Sequence, residues 1–198
     1  LGMVHVIVGY NFKFGKNREW DIESLKKLSK ELGFGLTVIS PILLNSERVS
    51  STLIRKKISE GQVSEAAKLL GHYFYIDGII VRGSGRGHKI GYPTVNISTE
   101  NQLFPLGVFQ TELRIENERY DSITNIGVNP TFYCLENGNG SRLETKIETH
   151  IFSFDRSVYG SNVRVFFKKK IRDEKKFDSE NDLVAQIKAD IRQITVDK

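Results

Sequence analysis

The chain has 198 residues, of which 39% are hydrophobic and 27% charged, a composition typical of a globular protein with one large or two small domains. No apolar run approaches the ~20 residues that cross a bilayer as a helix, which excludes a helical membrane protein. The net charge of +5 favours anionic ligands, and the single cysteine, which cannot form an internal disulfide, favours a reducing cytoplasm.

The first elements predict a β-α-β unit. Val4–Val8 and Leu36–Ser40 are short apolar runs typical of buried parallel strands, and Asp21–Leu32 between them carries a helical apolar stripe. Two strands and one helix cannot form an independent core, so the unit requires missing strands or a docking partner, with self-association as one expectation. Because the sequence starts at Leu1 and almost directly with a strand, we expect a fragment of a longer protein.

Two short helices follow. The first opens at Ser50-Ser51-Thr52 and runs through Lys57, and Ser64–Leu70 forms the second. Hydroxyls and free N–H groups at the start of the first helix, with Arg55 one turn on, suit an anion, but an ordinary helix cap is far commoner. The change to a strand pattern after these helices predicts two domains, residues 1–72 and 73–198.

The rest of the chain predicts six strands and a final helix. The strand segments alternate polar and apolar residues or carry β-branched and aromatic residues, which suggests a closed antiparallel β-barrel. The helix, Ser179–Ile191, has Ser179 as N-cap and Asp182 in capping-box position. Its inner stripe consists of Leu183, Ile187 and Ile191. The predicted strands are Tyr73–Arg82, Thr94–Ile97, Val108–Ile115, Arg119–Ile126, Leu143–Phe154 and Asn162–Lys170. The predicted fold class is therefore α+β, a six-stranded antiparallel barrel with a C-terminal helix after an incomplete α/β fragment.

A basic, glycine-rich loop joins the first two of these strands. Its glycines let successive backbone N–H groups turn inward and form a concavity that holds phosphate. The loop ends in Pro93-Thr94-Val95-Asn96, which puts a hydroxyl and an amide on one face, and such oxygens suit Mg²⁺ beside substrate phosphates. A flexible hairpin turn without a ligand is the alternative. The candidate phosphate-binding residues are Gly83, Gly85, Gly87, Lys89, Gly91, Thr94 and Asn96, with Thr94 and Asn96 also as metal ligands.

The nucleotide-binding motifs of fixed spacing do not fit this loop. A Walker loop would need Gly-Lys-Ser/Thr starting five positions after Gly83, where His88 stands. A dinucleotide fingerprint would need a glycine at position 88 and a helix after it, and Pro93 argues against that helix. The sequence therefore predicts a glycine loop that leads into a strand.

Three further features are weaker signals of function. Glu148 shares one strand face with Lys146 and His150. Glu148 either faces water or acts as a general base. His150 is interpreted as a packed or solvated histidine. The lysine-rich run Phe167–Arg172 favours a solvated face over a nucleic-acid site. Asn125–Thr131 predicts a turn that closes a strand.

Five motifs in order, covering about residues 73–195, resemble riboflavin kinase. They are Val81–Asn96, Asn125–Thr131, Glu148–Phe152, Tyr159-Gly160 and Ile171–Ser179. Upstream, Gly9–Gly15 and Ser50–Arg55 resemble the second half of the FMN adenylyltransferase module, a Rossmann-like nucleotidyltransferase. In bacteria this module precedes the kinase in one bifunctional chain, the FAD synthetase.

The resemblance implies a kinase that phosphorylates the 5′-hydroxyl of riboflavin with ATP and Mg²⁺, in FMN and FAD biosynthesis. It implies that Gly83–Gly91 covers the phosphates, that Thr94 and Asn96 hold Mg²⁺, and that Glu148 accepts the proton of the ribityl hydroxyl. The implied flavin contacts are Asn125, Gly127, Arg172 and Phe177. An apolar slot between the barrel and the last helix would suit the isoalloxazine ring.

The upstream part departs from the family pattern. Its His-x-Gly-His motif, whose histidines would contact the triphosphate, is absent, and residues 16–20 lack a glycine expected there. We therefore expect residues 1–72 to be an inactive remnant, with adenylyltransferase activity only in the full-length parent. The remnant site would consist of Asn11, Ser50, Ser51, Thr52 and Arg55.

Two other functions stay open at this point. A basic β-barrel that binds nucleic acid without catalysis fits the charge and the aromatic residues, but it gives no reason for Glu148 or for the Pro-Thr-x-Asn segment. Adenylyl transfer is the other, if a second chain supplies the missing half of the module.

Overall fold

The structure is a computed structural model that describes residues 2–83, 85–135 and 138–196; at 86, 129–135, 138–144, 195 and 196 only the backbone is described. The chain divides into two compact units, Leu1–Ser50 and Ser51–Lys198. Within the described ranges no helix is long and apolar enough to cross a membrane.

The first unit contains a two-stranded parallel sheet and one helix. In chain order its elements are β1 (His5–Gly9), a 3-10 turn (Lys16–Arg18), α1 (Ile22–Leu32), β2 (Gly35–Ile39), β3 (Leu43–Leu44) and β4 (Glu47–Arg48). Strands β1 and β2 pair in parallel along their whole length. Helix α1 begins after Asp21, whose Oδ1 accepts a hydrogen bond from Ser24 N at 3.0 Å, and ends at Gly33 in the left-handed conformation. The predicted β-α-β unit is confirmed.

One face of this small sheet is uncovered in the described part of the first unit. Val8 and Leu25 are buried, whereas Ile7 and Ile39 are 67% and 49% exposed. Ile7 and Ile39 lie on the same face, since side chains alternate along paired strands. Parallel sheets are normally covered on both faces, so in the described part of the unit this face lacks the layer that usually lies on it.

The second unit is a closed barrel with helices around it. Its elements are α2 (Ser51–Ser59), α3 (Val63–Leu70), β5 (Tyr75–Val81), α4 (Arg86–Lys89), β6 (Val95–Ser98), β7 (Gly107–Ile115), β8 (Glu118–Leu135), β9 (Gly138–Ile151), β10 (Asn162–Arg172) and α5 (Glu180–Val196). The strands close in the order β10-β5-β6-β9-β8-β7, with antiparallel neighbours throughout. The predicted six-stranded antiparallel barrel with a C-terminal helix is confirmed.

The barrel interior combines an apolar core with a cluster of hydroxyls. The core includes the buried residues Ile76, Ile80, Phe109, Leu113, Ile126, Ile147, Val165 and Phe167. Thr111 Oγ1 lies 2.8 Å from both Ser122 Oγ and Thr124 Oγ1, and Thr124 Oγ1 lies 2.9 Å from Thr149 Oγ1. These bonds satisfy the buried hydroxyls and join β7, β8 and β9 from inside.

Helix α3 belongs to the barrel unit. Val63 is buried in the same core cluster as the barrel residues, and Ser64 Oγ donates a hydrogen bond to Lys168 O on β10 at 2.9 Å. The compact unit therefore begins at Ser51, before the predicted domain boundary at residue 72. The division into domains 1–72 and 73–198 stays a prediction.

Two segments differ from the sequence-based expectation. Strand β8 continues to Leu135, although Asn125–Thr131 predicts a turn, because pairing with β9 from Ser122 to Leu135 stabilises the extended backbone. The glycine loop contains one helical turn, α4. Pro93 does not prevent this turn, since proline restrains only Tyr92 before it and the turn already ends at Lys89.

Helix α5 covers part of the outer face of the barrel. Its predicted cap is confirmed: Ser179 Oγ accepts a hydrogen bond from Asp182 N at 3.1 Å and donates one to Asp182 Oδ2 at 2.6 Å. Ile194 is buried in a cluster with Val108 and Ile123. This packing places α5 over β7 and β8.

Candidate active site

A row of polar side chains crosses the outer face of the barrel at one level. Asn96 on β6 pairs with Glu148 on β9, and Glu148 pairs with Asn125 on β8. The row continues through Val108 on β7 to Arg172 on β10. Directly opposed residues of a ladder point to the same side of the sheet, so five strands bring these positions into line. All four polar members are residues that the sequence analysis selected.

Glu148 lies on the outer face, as the alternation along β9 predicts. Its neighbours Ile147 and Thr149 are buried inside the barrel, whereas the Glu148 side chain is 28% exposed. Its Oε1 lies 2.7 Å from Nζ of Lys146, two residues away on the same face. Most of the Glu148 side chain is therefore covered by other groups, unlike a carboxylate that simply faces bulk water.

A cavity of about 270 Å³ lies over this row, between the barrel, the glycine loop and the C-terminal segment with α5. Its volume is near the lower end of small-molecule sites, roughly 300–1,000 Å³. The predicted site residues that line it are Gly87, Thr94, Asn125, Glu148, Arg172 and Phe177. The other lining residues are Ile90, Tyr92, Val108, Ile123, Lys146, His150, Glu174, Lys175, Leu183, Ile187 and Asp190.

Two glycines of the loop are closely packed against polar groups of the segment that follows. A Cβ at Gly87 would lie 2.9 Å from Thr94 Oγ1 and would collide with Tyr92 O. A Cβ at Gly83 would collide with the side-chain amide of Asn96. The contact with a backbone carbonyl requires glycine at position 87, whereas a side chain at position 83 would displace the amide of Asn96.

Two oxygen donors next to the glycine loop suit a magnesium ion, although only Thr94 of the two residues lines the cavity. Thr94 Oγ1 and the Asn96 amide oxygen are hard ligands, and Mg²⁺ typically takes only one or two protein oxygens beside substrate phosphates and water. Among the described residues there is no group of three or more His, Cys, Asp or Glu residues suited to a metal. A metal that depends on the nucleotide for most of its ligands fits this arrangement.

A partly buried ion pair holds Arg172 at the opposite end of the row. Arg172 Nε lies 2.9 Å from Asp190 Oδ2, and Asp190 on α5 is 3% exposed. Gln186 Nε2 donates to Asp190 Oδ1 at 2.8 Å, and the Arg172 guanidinium lies 5.7 Å from the centre of the Phe177 ring. Lys170 is bonded to Asp173, the residue after Arg172, and this bond lowers the pKa of the Asp173 carboxyl below its ordinary value.

Asn125 and Gly127 lie on the same stretch of β8 but in different surroundings. Asn125 Oδ1 is buried and has no hydrogen-bond partner within the described part of the molecule. Gly127 does not line the cavity, but a Cβ there would collide with the carboxylate of Glu174, which does. Gly127 therefore makes room for Glu174, and the buried Asn125 oxygen is left without a partner beside the cavity that the residue lines.

The structure does not bring every predicted residue to the cavity. Gly83, Gly85, Lys89, Gly91, Asn96 and Gly127 do not line it. Gly85 and Gly91 have positive φ angles of 71° and 81°, which suits glycine at two turns of the loop. Asn11 and Ser50 of the predicted remnant site lie in the first unit, and Ser51, Thr52 and Arg55 lie in α2 of the second. The remnant site stays a prediction.

Sequence reasoning missed Asp190 and Glu174. Asp190 and Ile194 are buried on the face of α5 that carries the half-buried Leu183, Ile187 and Ile191. An acidic residue on an apolar stripe was the available signal for Asp190.

Family models match the two parts of the chain separately. The model described as riboflavin kinase matches residues 70–196, and the model described as FAD synthetase matches residues 1–53. The first match covers more than half of the chain, including the whole barrel, the lining of the cavity and α5.

Named relatives match nearly the whole chain. The bifunctional riboflavin kinase/FMN adenylyltransferases of Buchnera aphidicola subsp. Schizaphis graminum and Bacillus subtilis are 36% and 32% identical over 96% of this chain. The chain spans only 60% and 59% of the lengths of these relatives. A crystal structure described as a macrolide-efflux protein from Streptococcus pneumoniae matches 94% of this chain and 59% of that one, with 33% identity and a TM-score of 0.79.

Proposed function

The chain belongs to the riboflavin kinase family, and from that premise we propose that it transfers the γ-phosphoryl group of ATP to the 5′-hydroxyl of riboflavin, giving FMN and ADP. The observation that carries the proposal is the composition of one cavity. It brings the carboxylate of Glu148 together with Gly87 and Thr94 of the loop segment and with a wall of apolar side chains.

The loop end of the cavity takes the nucleotide in this proposal. Backbone N–H groups of Gly83–Gly91 cover the phosphates, with Lys89 adding positive charge. Thr94 and Asn96 would hold Mg²⁺ beside the phosphates. When bound, the ion would neutralise charge on the phosphates; the residues themselves serve mainly to position the reacting groups, which is what phosphoryl transfer requires.

Glu148 is the general base of the proposed reaction. Its carboxylate accepts the proton of the ribityl 5′-hydroxyl while that oxygen bonds to the γ-phosphorus. The bond between the γ-phosphorus and the bridging oxygen breaks, and ADP leaves with the bonding electrons. The ion pair with Lys146 supports this role, since it fixes the carboxylate on the outer face of β9.

The apolar end of the cavity suits the isoalloxazine ring. Phe177 offers an aromatic wall, and Asn125 and Arg172 offer polar contacts at its edge. Gly127 contributes indirectly, through the space it leaves for Glu174. The apolar lining is formed by Val108, Ile123, Leu183 and Ile187. A largely apolar pocket with a few placed polar groups is the usual form of a cofactor-sized site.

The first unit has a different place in the proposal. The match of residues 1–53 to FAD synthetase supports an adenylyltransferase remnant, and FMN adenylylation would belong to a longer parent chain. The uncovered face with Ile7 and Ile39 supports self-association of this unit, or the docking of absent strands. A cytoplasmic location is part of the same proposal, because a flavin kinase needs ATP.

Nucleic acid is not a partner in this proposal. In the lysine-rich run of β10, Lys168 lies 2.9 Å from Glu112 Oε2, and Lys170 lies 2.6 Å from Asp173 Oδ1. These lysines balance carboxylates of the same unit. None of the relatives named above is described as a nucleic-acid-binding protein.

The Glu148→Gln variant tests the proposal directly. We expect FMN formation from riboflavin and Mg·ATP to fall roughly 10²–10⁴-fold in turnover, the usual contribution of a general base. Glu100→Gln is the matched control, because Glu100 is an exposed carboxylate that does not line the cavity. Unchanged turnover in Glu148→Gln would remove the assignment of the base.

The same preparation separates the alternatives. Riboflavin fluorescence titrated with and without Mg·ADP reports flavin binding, and a DNA shift assay over a range of salt reports nucleic-acid binding. Steep salt-sensitive DNA binding without flavin binding would favour the nucleic-acid alternative. FAD formation from FMN and ATP by this chain alone would contradict an inactive remnant.

A further inference from the structure

We propose that His150 is a positioning residue that fastens the Thr94 segment of the glycine loop to the strand that carries Glu148. The inference rests on the proposed function, in which Thr94 and Glu148 act on the two reacting partners. The proposed chemistry does not use His150, although its ring lines the cavity.

The contact that carries the proposal is a hydrogen bond from His150 to the loop. His150 Nδ1 lies 2.7 Å from the carbonyl oxygen of Pro93. A carbonyl oxygen only accepts, so Nδ1 must carry the proton and donate. This bond fixes the tautomer and the orientation of the imidazole ring.

This bond holds the chain where the strand ladder stops. The pairing of β6 with β9 consists of Val95 with Thr149 and Asn96 with Glu148. Pro93 and Thr94 precede β6, and proline has no N–H with which to extend the ladder. The side chain of His150 therefore continues the attachment of β9 to the loop over the residues just before Val95.

Two ring contacts support the same attachment. The His150 ring lies 5.6 Å from Tyr92 and 5.7 Å from Phe152, both in edge-on geometry. Tyr92 N donates to Gly87 O at 2.8 Å, and Gly87 approaches Thr94 closely. A continuous set of contacts thus runs from β9 through His150 to both sides of the loop.

The consequence for the reaction is a specific one. Loss of the hydrogen bond frees the Pro93-Thr94 segment while Glu148 stays in its ladder with β6 and β8. We therefore expect weaker use of Mg·ATP, with riboflavin binding unchanged. A merely structural role would instead lower stability and affect both substrates alike.

Three variants of the full chain test the inference. His150→Phe keeps the ring packing but lacks the donor, and we expect the KM for ATP to rise about two- to twelvefold, the range of one hydrogen bond. His150→Asn places an amide N–H near the position of Nδ1 and should restore the KM for ATP to within about twofold of the original protein. His72→Phe is the matched control, because His72 Nδ1 also contacts a carbonyl oxygen, that of Tyr73, outside the cavity.

The KM for riboflavin and the melting temperature are measured alongside. An unchanged KM for ATP in His150→Phe would overturn the inference, as would a failure of His150→Asn to restore it. Equal rises in both KM values with a lowered melting temperature would overturn it too, in favour of a packing role.

If His150→Phe does not fold, the comparison of His150→Asn with His150→Gln decides, since glutamine places its amide near Nε2 instead. Equal KM values for ATP in that pair would overturn the inference. Should the unaltered chain form no FMN, the proposed function fails and this inference fails with it; normal FMN formation with insensitive His150 variants overturns only the inference.

Discussion

The side-chain oxygen of Asn125 lowers the stability of the protein when no ligand is bound. Its Oδ1 is buried without a partner among the described residues. An unsatisfied buried acceptor costs about 1–3 kcal/mol, and native proteins contain few of them. Because Asn125 lines the cavity, a rotation of its amide on ligand binding would bring this oxygen to a donor and relieve the cost. Stability is therefore lower, and ligand affinity higher, than an apolar side chain would give.

Asn125→Leu should separate these two effects. We expect an unchanged or higher melting temperature, because the unsatisfied oxygen is gone, and a riboflavin Kd raised about two- to twelvefold by the lost hydrogen bond. Fluorescence titration with Mg·ADP and a thermal melt measure both quantities.

Asn101→Leu is the comparison for Asn125→Leu. Asn101 Oδ1 already accepts a hydrogen bond from Thr99 at 3.0 Å, so its loss should lower the melting temperature and leave riboflavin affinity alone. The opposite pattern in Asn125→Leu, lower stability with unchanged riboflavin binding, would count against its role at the site.

At the scale of elements, α5 is attached to the barrel in two ways. Ile194 packs into the apolar cluster with Val108, and Asp190 forms the ion pair with Arg172 on β10. The ion pair also holds Arg172 beside Phe177 at the apolar end of the cavity. Docking of the helix and shaping of the site therefore depend on the same carboxylate.

Asp190→Asn should loosen both. We expect the free energy of unfolding to fall by about 1–3 kcal/mol, because a bond between charged groups becomes a weaker one in a buried position. The KM for riboflavin should rise as Arg172 is released. Urea denaturation and steady-state kinetics measure these effects, with the exposed Asp155→Asn as control. Equal stability of the two variants would show that the ion pair does not fasten α5.

The sequence indicates the faces of these elements but not their register. The alternation of Glu148 with Ile147 and Thr149 is visible in the sequence and correctly places Glu148 on the opposite face of the strand from these two residues. Asn96 and Asn125 lie on either side of Glu148 because of pairings between residues that are far apart in the chain. Local propensity carries no such information, which is also why the extension of β8 through its glycine and proline was not foreseen.

At the scale of the molecule, the helices before the barrel contribute to the stability of the barrel unit. Val63 of α3 is buried in the barrel core, and Ser64 is bonded to β10. The composition of the segment gives no sign of this, because no linker separates the helices from either side. Only the packing shows that the compact unit starts at Ser51.

Two truncations test this boundary. Residues 51–198 should fold and form FMN at a rate within about twofold of the full chain, since the proposed site lies wholly within them. Residues 73–198 should lose about 3 kcal/mol or more of unfolding free energy, from the buried area of Val63 and its neighbours and the Ser64 hydrogen bond. Urea denaturation of both fragments measures the difference, and equal stabilities would contradict it.

The site depends on whether the number of residues between its members on a strand is odd or even. Glu148 and His150 both face outward because one residue separates them, and Thr149 between them points to the hydroxyl cluster. A one-residue insertion between them would turn one of the two into the barrel interior, while a two-residue insertion would keep both outside. The same rule joins Thr94 to Asn96 on the neighbouring segment. Odd-numbered changes in length near the cavity would thus abolish the site without removing any of its residues.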